Sequence, residues 1–564
     1  MGQETDSMAE IDRSWWKESV VYQIYPRSFN DSDGDGIGDI PGIVEKADYL
    51  DDLGIDVVWL CPVYDSPNAD NGYDIRDYHS IMDEFGDFED WEALRDALHE
   101  RDIKLIMDLV VNHTSDEHEW FEKSRREEEG YAEYYHWVEG NPEEPPNNWE
   151  SFFGGPAWSY DDQREAWYLH LFDEKQPDLN WRNPDVRADV KEMITWWLER
   201  GIDGFRMDVI DLLSKPEGYP DGDGSTSPTG FEQFAGGPHI HEYLRELYDD
   251  VFSKYDIMTV GEMAGATIEN APQYLGPDGD GLNMLFHFEH MAVDQGPDGQ
   301  WDLEDWGEWE LSELKDIVSK WQRELDGEGW NAVYLGNHDQ PRIVSRFGDD
   351  GQYREESATL LATFLNTLRG TPYVYQGEEI GMTNADFASL EEVDDVMTIG
   401  PIEELLEAGE IESYEDVRDL VNYRSRDHAR TPVQWSGEEN ADFTDGEPWI
   451  KLNDNYTDIN VEADRADADS IWHYYRDVID LRHREEALVY GDFELLCPDD
   501  EQLFAYTRTL GEETLLVVLN WSDGEQSPPA ASAEDPTLLL GNYADADASL
   551  DRTLRPYEAR IYRL

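Results

Sequence analysis

Arg206 and Asp208 lie two residues apart in GFRMDVI, so in an extended segment the guanidinium and the carboxylate share one face. Glu262 ends the apolar run IMTVGE, and Asp339 follows Asn337 and His338 in LGNHDQ. Asp108 opens DLVVNH, which leads to Asn112 and His113. Acids, an arginine and histidines gathered at one place suit cleavage of an acetal. One carboxylate attacks, a protonated one donates to the leaving oxygen, and further charge steadies an oxocarbenium-like state. A cation beside a buried carboxylate keeps it ionised, which fits Asp208 to the attacking role. Desolvation at the end of an apolar run raises a carboxyl pKa, which fits Glu262 to the acid role. Among 130 acidic residues a lone Asp is ordinarily a solvated surface group. Only convergence of these residues gives them chemical weight.

A second group of acids stands in NDSDGDGIGDIPG, residues 30–42. Its spacing can be laid on a calcium loop: Asp31, Asp33, Asp35 and Asp39 fall at positions 1, 3, 5 and 9, Gly36 at 6, and the Ile37 carbonyl at 7. Position 12 is Gly42 where an EF-hand needs Glu, so the stretch is not an EF-hand.

The catalytic candidates can meet only if the backbone delivers them to one rim. Short β-branched and aromatic runs predict strands at Val20–Tyr25, Val57–Cys61, Lys104–Val111, Gly204–Val209, Ile257–Glu262, Met284–Phe288, Ala332–Gly336 and Tyr373–Gln376. Segments with apolar residues at three- and four-residue spacing lie between them, such as IVEKADYLDDLG and VKEMITWWLERG. Eight alternations of strand and helix imply an α/β fold, a (β/α)8 TIM barrel, whose reactive side chains sit at the C-terminal strand ends. The candidates all fall there.

The long gap between strands three and four holds the Pro-, Asn- and Glu-rich stretch 140–155 and the aromatic run AWYLHLF, which predicts a small inserted domain. Residues 216–230 and 391–419 are expected as loop-like inserts. Beyond about residue 485, LFAYTRTL, TLLVVLNWSD and ARIYRL read as short strands without helices, expected to form a C-terminal antiparallel β-sandwich. The expected organisation is a barrel over residues 1–112 and 185–485, an insert over 113–184 and a C-terminal domain over 486–564.

The 564 residues carry 42 Lys and Arg against 130 Asp and Glu, a net charge of −88. Such a surface repels phosphate, which excludes nucleic acid and anionic membranes as partners. With 21 Trp and 30 Tyr the chain has ample material for a core, so the charge does not mean disorder. The acidity is uniform and Lys is scarce beside Arg, a composition resembling that of halophilic organisms. In molar salt the Debye length is about 3 Å, which screens self-repulsion. Cys61 and Cys497 are the only cysteines, too few for a disulfide framework. The start MGQETDSMAEID has neither a basic nor an apolar region, so no signal peptide is expected, and no apolar run has the length of a membrane span. A cytoplasmic location is the expectation. Composition does not select between monomer and homo-oligomer.

DLVVNHTS, QPDLNW, GFRMDVI, TVGEM and YLGNHDQPR occur in that order and resemble the signature regions of glycoside hydrolase family 13, the α-amylase family. YQGEEIGMTN and RTPVQW resemble its α-glucosidase and oligo-1,6-glucosidase branch. The resemblance spans nearly the whole chain. It implies Asp208 as nucleophile, Glu262 as general acid/base and Asp339 as the third, transition-state-stabilising carboxylate. It implies His113, Arg206 and His338 around the transferred glucose, with Tyr73 stacked on that sugar. Asp74 and Arg430 are implied as the pair closing the pocket behind the terminal glucose, and Phe172 and Gln176 as pocket walls. The Asp31–Asp39 loop resembles one that binds a structural divalent ion in this branch, usually Ca²⁺, with Mg²⁺ the alternative.

Val209 follows the nucleophile, and in this branch valine there resembles enzymes preferring α-1,6 links. The reading implied is a retaining, exo-acting α-glucosidase acting on disaccharides and short oligosaccharides, with transglucosylation as a side reaction. A same-family sucrose isomerase or trehalose synthase is the alternative. A non-catalytic barrel of the transporter-subunit kind is disfavoured because Asp208, Glu262 and Asp339 are all retained.

Overall fold

Val, Leu, Met and Tyr are the commonest residues of the eight short strands, the near-continuous apolar pattern of a parallel sheet buried on both faces. In the computed structural model they run as Val21–Ile24, Val57–Leu60, Lys104–Leu109, Gly204–Met207, Met258–Glu262, Met284–Phe286, Ala332–Val333 and Thr371–Tyr375. Residues 13–276, 279–296, 299–529, 536–546 and 549–564 are described; the polar start, 1–12, lies outside them. All pairings are parallel, in the spatial order six-five-four-three-two-one-eight-seven. A bridge between Leu285 and Asn331 joins strands six and seven and brings the ends of the sheet together as a barrel.

Register decides which side chains meet inside. Asp108 of strand three pairs with Arg206 of strand four, and Arg206 pairs with Val260 of strand five. Asp108 and Arg206 are therefore side-by-side neighbours. Gly204 opens strand four at φ +149°, and a Cβ there would lie 1.9 Å from the Met258 carbonyl oxygen, so only glycine lets these two strands approach.

Between Leu109 and the helix Pro184–Leu198 the chain leaves the barrel. There it forms an antiparallel sheet of Trp137–Glu139, Ala166–Leu169 and Trp158–Asp161, in that spatial order. Trp149, Trp158 and Trp167 build its core and pack with Leu212 and Phe234 from beyond strand four. The insert thus sits on the rim beside the nucleophile candidate.

The segment 391–419, expected as a loop, is not one. Val396–Ala408 is a helix, and Phe387, Val393, Ile402, Ile411, Val417 and Val421 bury against one another in a separate small core. Its acids are on the helix's exposed side, so composition read as loop while the apolar minority specified the fold. Residues 216–230 contain no regular element, as expected.

The C-terminal region is a five-stranded antiparallel sheet in the order Asp492–Leu495, Leu503–Leu510, Glu513–Asn520, Ala559–Arg563 and Thr537–Gly541. Among the described residues it has one sheet. Phe364 of the barrel helix Arg354–Thr367 packs on Phe504 and Trp521. Buried Arg508 of this sheet donates to the Thr367 and Leu488 carbonyls at 2.6 and 2.7 Å, locking the sheet to two helix ends, where a cation also opposes the helix dipole. Among the described residues no helix is long and apolar enough to cross a membrane.

Candidate active site

Strands three, four and five each end in a carboxylate, and Arg206 touches all three. Its Nη1 lies 2.6 Å from Asp108 Oδ1 and 2.6 Å from Asp208 Oδ1, and its Nη2 lies 2.7 Å from Glu262 Oε2. Trp59 Nε1 donates to the other oxygen of Asp108 at 2.7 Å, so that residue is fully committed inside the barrel. Asp208 and Glu262 are 6% and 7% exposed, enough to reach the pocket and little enough to be desolvated. Burial pushes both carboxyls up to about 7, against the pull of Arg206. Asp108 is raised to about 6 for the same reason. The expectation that Arg206 would depress Asp208 is thereby corrected: one guanidinium shared among three carboxylates does not overcome burial.

Val209, next to the nucleophile candidate, has φ +36° and ψ +43°, a left-handed conformation costly for a β-branched residue. That turn aims its N–H at Glu262 Oε2, 3.0 Å away. The half-buried Val209 side chain packs with the aromatic core of the insert.

Asp339 is held differently. Arg426 Nη1 and Arg430 Nη2 each lie 3.0 Å from its Oδ1, and His338 Nε2 lies 3.1 Å from its Oδ2. Burial opposes ionisation, yet the cations hold this carboxyl well below the usual range. His338 accepts from Gln23 Nε2 at 2.7 Å, and burial lowers it to about 3. It is therefore neutral at pH 7, and the guanidiniums carry the effect. Asp395 lies 2.6 Å from Arg426 Nη2 and 3.7 Å from Arg430 Nη1, and completes this second cluster.

The predicted Asp74–Arg430 pair does not form. Asp74 is fully buried and accepts from Ser66 Oγ, Ala69 N and Asp70 N at 3.0, 2.8 and 3.0 Å, so it shapes its own loop. Asp70, four residues earlier, takes the expected place. Its carboxylate lies 3.7 Å from Arg426 and accepts from Gln176 Nε2 at 3.1 Å. Arg430 faces Asp339 and Asp395. Asp70, Arg426 and Asp395 were not singled out from sequence. ADNGYD offers two acids four apart, and RSRDHAR two arginines four apart, which spacing alone does not rank.

The remaining candidates line the same pocket. Tyr73 stacks on His338 with ring centroids 5.2 Å apart and planes within 4°. His113 accepts from Asn112 Nδ2 at Nδ1 and donates from Nε2 to the Tyr73 carbonyl, at 3.2 and 3.1 Å; burial lowers it to about 4. Phe172 stacks on Phe152 at 5.0 Å and tilts against His113 at 5.2 Å.

The acidic loop lies apart from this pocket. One oxygen each from Asp31, Asp33 and Asp39 lie within 4.8 Å of one another, a donor set of hard oxygens that fits a divalent cation of the calcium type. Asp35 stands outside that trio, its carboxylate accepting from Ile37 N at 2.8 Å. Asp39 also caps the helix Ile40–Glu45. Asp31 accepts from the Thr444 hydroxyl, and its N–H donates to the Phe443 carbonyl at 2.9 Å. Trp449 N–H reaches the Gly36 carbonyl at 3.0 Å. The loop thus braces the segment that follows Arg430, whose own carbonyl accepts from Ser28 Oγ at 2.5 Å.

An eight-stranded barrel with an insert after strand three, three carboxylates converging at its rim and a pocket closed by arginines defines a glycoside hydrolase. Residues 23–491 match the alpha amylase catalytic domain, and residues 493–561 match the maltogenic amylase C-terminal domain. The chain belongs to the α-amylase family. It is 52% identical over 563 residues to an oligo-1,6-glucosidase of Parageobacillus thermoglucosidasius, covering 98% of this chain and 100% of that one. An oligo-1,6-glucosidase of Bacillus cereus is likewise 52% identical, with 98% and 100% covered. Among solved structures, trehalose-6-phosphate hydrolase of Bacillus licheniformis superposes with a TM-score of 0.91 at 46% identity, covering 98% and 100%. Isomaltulose synthase of a Klebsiella species gives 0.94 at 42%, with the same coverage.

Proposed function

We infer that the protein is a retaining, exo-acting α-glucosidase in which Asp208 attacks the anomeric carbon, Glu262 protonates the leaving oxygen and Asp339 binds the sugar hydroxyls. The carrying observation is the single guanidinium bridging Asp208 and Glu262. It holds them on adjacent strands, which fits the short separation, about 5–5.5 Å, of a carboxylate pair acting by double displacement. With both near pH 7, one is ionised to attack while the other keeps its proton. Deglucosylation reverses the proton movement: Glu262 takes a proton from the incoming water. A sugar hydroxyl entering instead gives transglucosylation. Tyr73, His113, Arg206 and His338 surround the glucose, Phe172 and Gln176 wall it, and Asp70 with Arg426 and Arg430 stops the chain behind it. Proton NMR during hydrolysis of isomaltose should show α-glucose first. β-Glucose appearing first excludes the double displacement.

The linkage reading is α-1,6, supported by Val209 beside the nucleophile and by the oligo-1,6-glucosidases this chain resembles. One side chain there shifts preference by about 1–3 kcal/mol. Isomaltose should therefore give a higher kcat/KM than maltose. Among the described residues the cations beside Asp339 are each faced by acids, Arg430 by Asp339 itself and Asp395. Arg426 is held by Asp395 and Asp70, and Arg424 by Asp294 at 2.9 Å. Neutral glucosides fit this wall better than sugar phosphates.

Asp31, Asp33 and Asp39 would hold Ca²⁺, or Mg²⁺, in a structural role remote from bond cleavage. Chelation should lower Tm, and an unchanged Tm at low divalent concentration returns the trio to plain surface acids. The charge of −88 supports operation in concentrated salt, and the free thiols Cys61 and Cys497 support a reducing, cytoplasmic setting.

A further inference from the structure

Lys215 is one of the few lysines of this chain and is 1% exposed. It follows strand four by one turn and carries no part of the chemistry above. Its three donors are all used. Nζ lies 2.5 Å from Asp178 Oδ2 and donates to Asn112 Oδ1 and to the Leu212 carbonyl, both at 2.7 Å. Each partner belongs to a different stretch of chain. Asn112 is where the backbone leaves the barrel for the insert, Asp178 is where it returns, and Leu212 lies in the turn just after Asp208 and Val209. Asp178 is spanned further: Oδ2 accepts from Asn112 Nδ2 at 3.1 Å and Oδ1 from Leu171 N at 2.9 Å. The two stretches also pair through their backbones, Leu179 N to Asn112 O at 2.9 Å and Thr114 N to Pro177 O at 3.2 Å.

We propose that Lys215 is a positioning residue that fixes the root of the insert to the nucleophile turn and so sets His113 and Gln176 against the bound sugar. His113 follows Asn112 directly and accepts from its amide; Gln176 precedes Asp178 by two residues. The carboxylates Asp208, Glu262 and Asp339 are placed by strands and arginines that Lys215 does not touch. Loss of Lys215 therefore weakens sugar binding more than it slows the chemistry. An ammonium serves here because three acceptors converge on one point from separate segments, a geometry a compact tetrahedral donor satisfies. Burial lowers the Lys215 pKa, against which the neighbouring Asp178 carboxylate pulls upward.

The proposal rests on the reading of the pocket as a glucose site, and two measurements keep the two ideas apart. The first is the competitive inhibition constant of glucose and the KM for isomaltose in Lys215→Met and Asp178→Asn, well below each variant's Tm. The expected result is a rise of about tenfold or more in both constants, with kcat reduced less than threefold. Constants within twofold of the parent in either folded variant overturn the proposal, because a merely structural lysine lowers Tm alone. The second is amide hydrogen exchange, which needs no activity. Thr114 and Leu179 should exchange at least tenfold faster in the variants while strand five, Met258–Glu262, keeps its protection. Unchanged protection at Thr114 and Leu179 overturns the proposal. If Lys215→Met does not fold, Asp178→Asn, which keeps an acceptor for Leu171 N, carries both readouts. A parent enzyme that hydrolyses no α-glucoside would instead overturn the glucosidase reading and leave the exchange result to judge Lys215.

Discussion

Around Arg206 a single guanidinium faces Asp108, Asp208 and Glu262, whereas around Asp339 two guanidiniums, Arg426 and Arg430, converge on one carboxylate. Both clusters mix acids with arginines; the first is buried throughout, while Asp339 in the second is partly exposed. In the first, burial outweighs the shared cation and the acids rise to about 7. In the second, the cations outweigh burial and Asp339 stays ionised. The ratio of cations to carboxylates, together with the greater exposure of Asp339, separates groups that exchange protons from one that only holds charge. A retaining glycosidase needs both kinds in contact with one sugar ring.

That contrast can be broken most severely at the nucleophile. Asp208→Asn should lower kcat about 10⁴-fold or more with Tm little changed, since the amide keeps the shape and removes the attacking charge. Stopped activity measured beside a calorimetric Tm checks it; retention of a tenth of the activity places the nucleophile elsewhere.

Arg206→Met should lower kcat by about 10²–10³ and move the acidic limb of the pH profile upward, because the guanidinium that opposes burial is gone. In the parent enzyme the profile of kcat/KM should be a bell centred near 7. Activity falls on the acid side as Asp208 gains a proton and on the alkaline side as Glu262 loses one, about tenfold per pH unit on each limb. A profile flat from pH 5 to 9 would contradict the three-to-one sharing at Arg206.

The smallest effect separates two neighbouring acids. Asp70→Asn removes a carboxylate facing Arg426 and should raise KM about tenfold, worth about 1.4 kcal/mol, with Tm nearly constant. Asp74→Asn should leave KM alone and cost about 1–3 kcal/mol of stability, because three donors in its loop lose a carboxylate acceptor. The reverse outcome would restore Asp74 to the pocket. A KM series and two melting curves decide it.

Much of the fold was legible because its signals are local. Strand-forming runs such as VVWLC and IMTVGE alternate with helical spacing, and all eight expected strands are found, the first seven shorter than read, most of all the seventh, which ends at Val333, and the eighth shifted to Thr371–Tyr375. The acidic 391–419 segment was misread because exposed acids outnumber the few apolar residues that bury. The three carboxylates were legible because a barrel places every strand end at one rim.

The sequence by itself determined the barrel, the strand-end acids and the arginine two residues before Asp208, since each depends on periodicity over a few residues. Only the tertiary structure decided that Asp70 and not Asp74 turns into the pocket, that Arg426 shares Asp339 with Arg430, and that Lys215 ties the insert to the nucleophile turn. Those choices are made between segments tens to hundreds of residues apart. They depend on distance, on competing hydrogen bonds and on how many cations share each buried acid, and none of these is a property of a short stretch of chain.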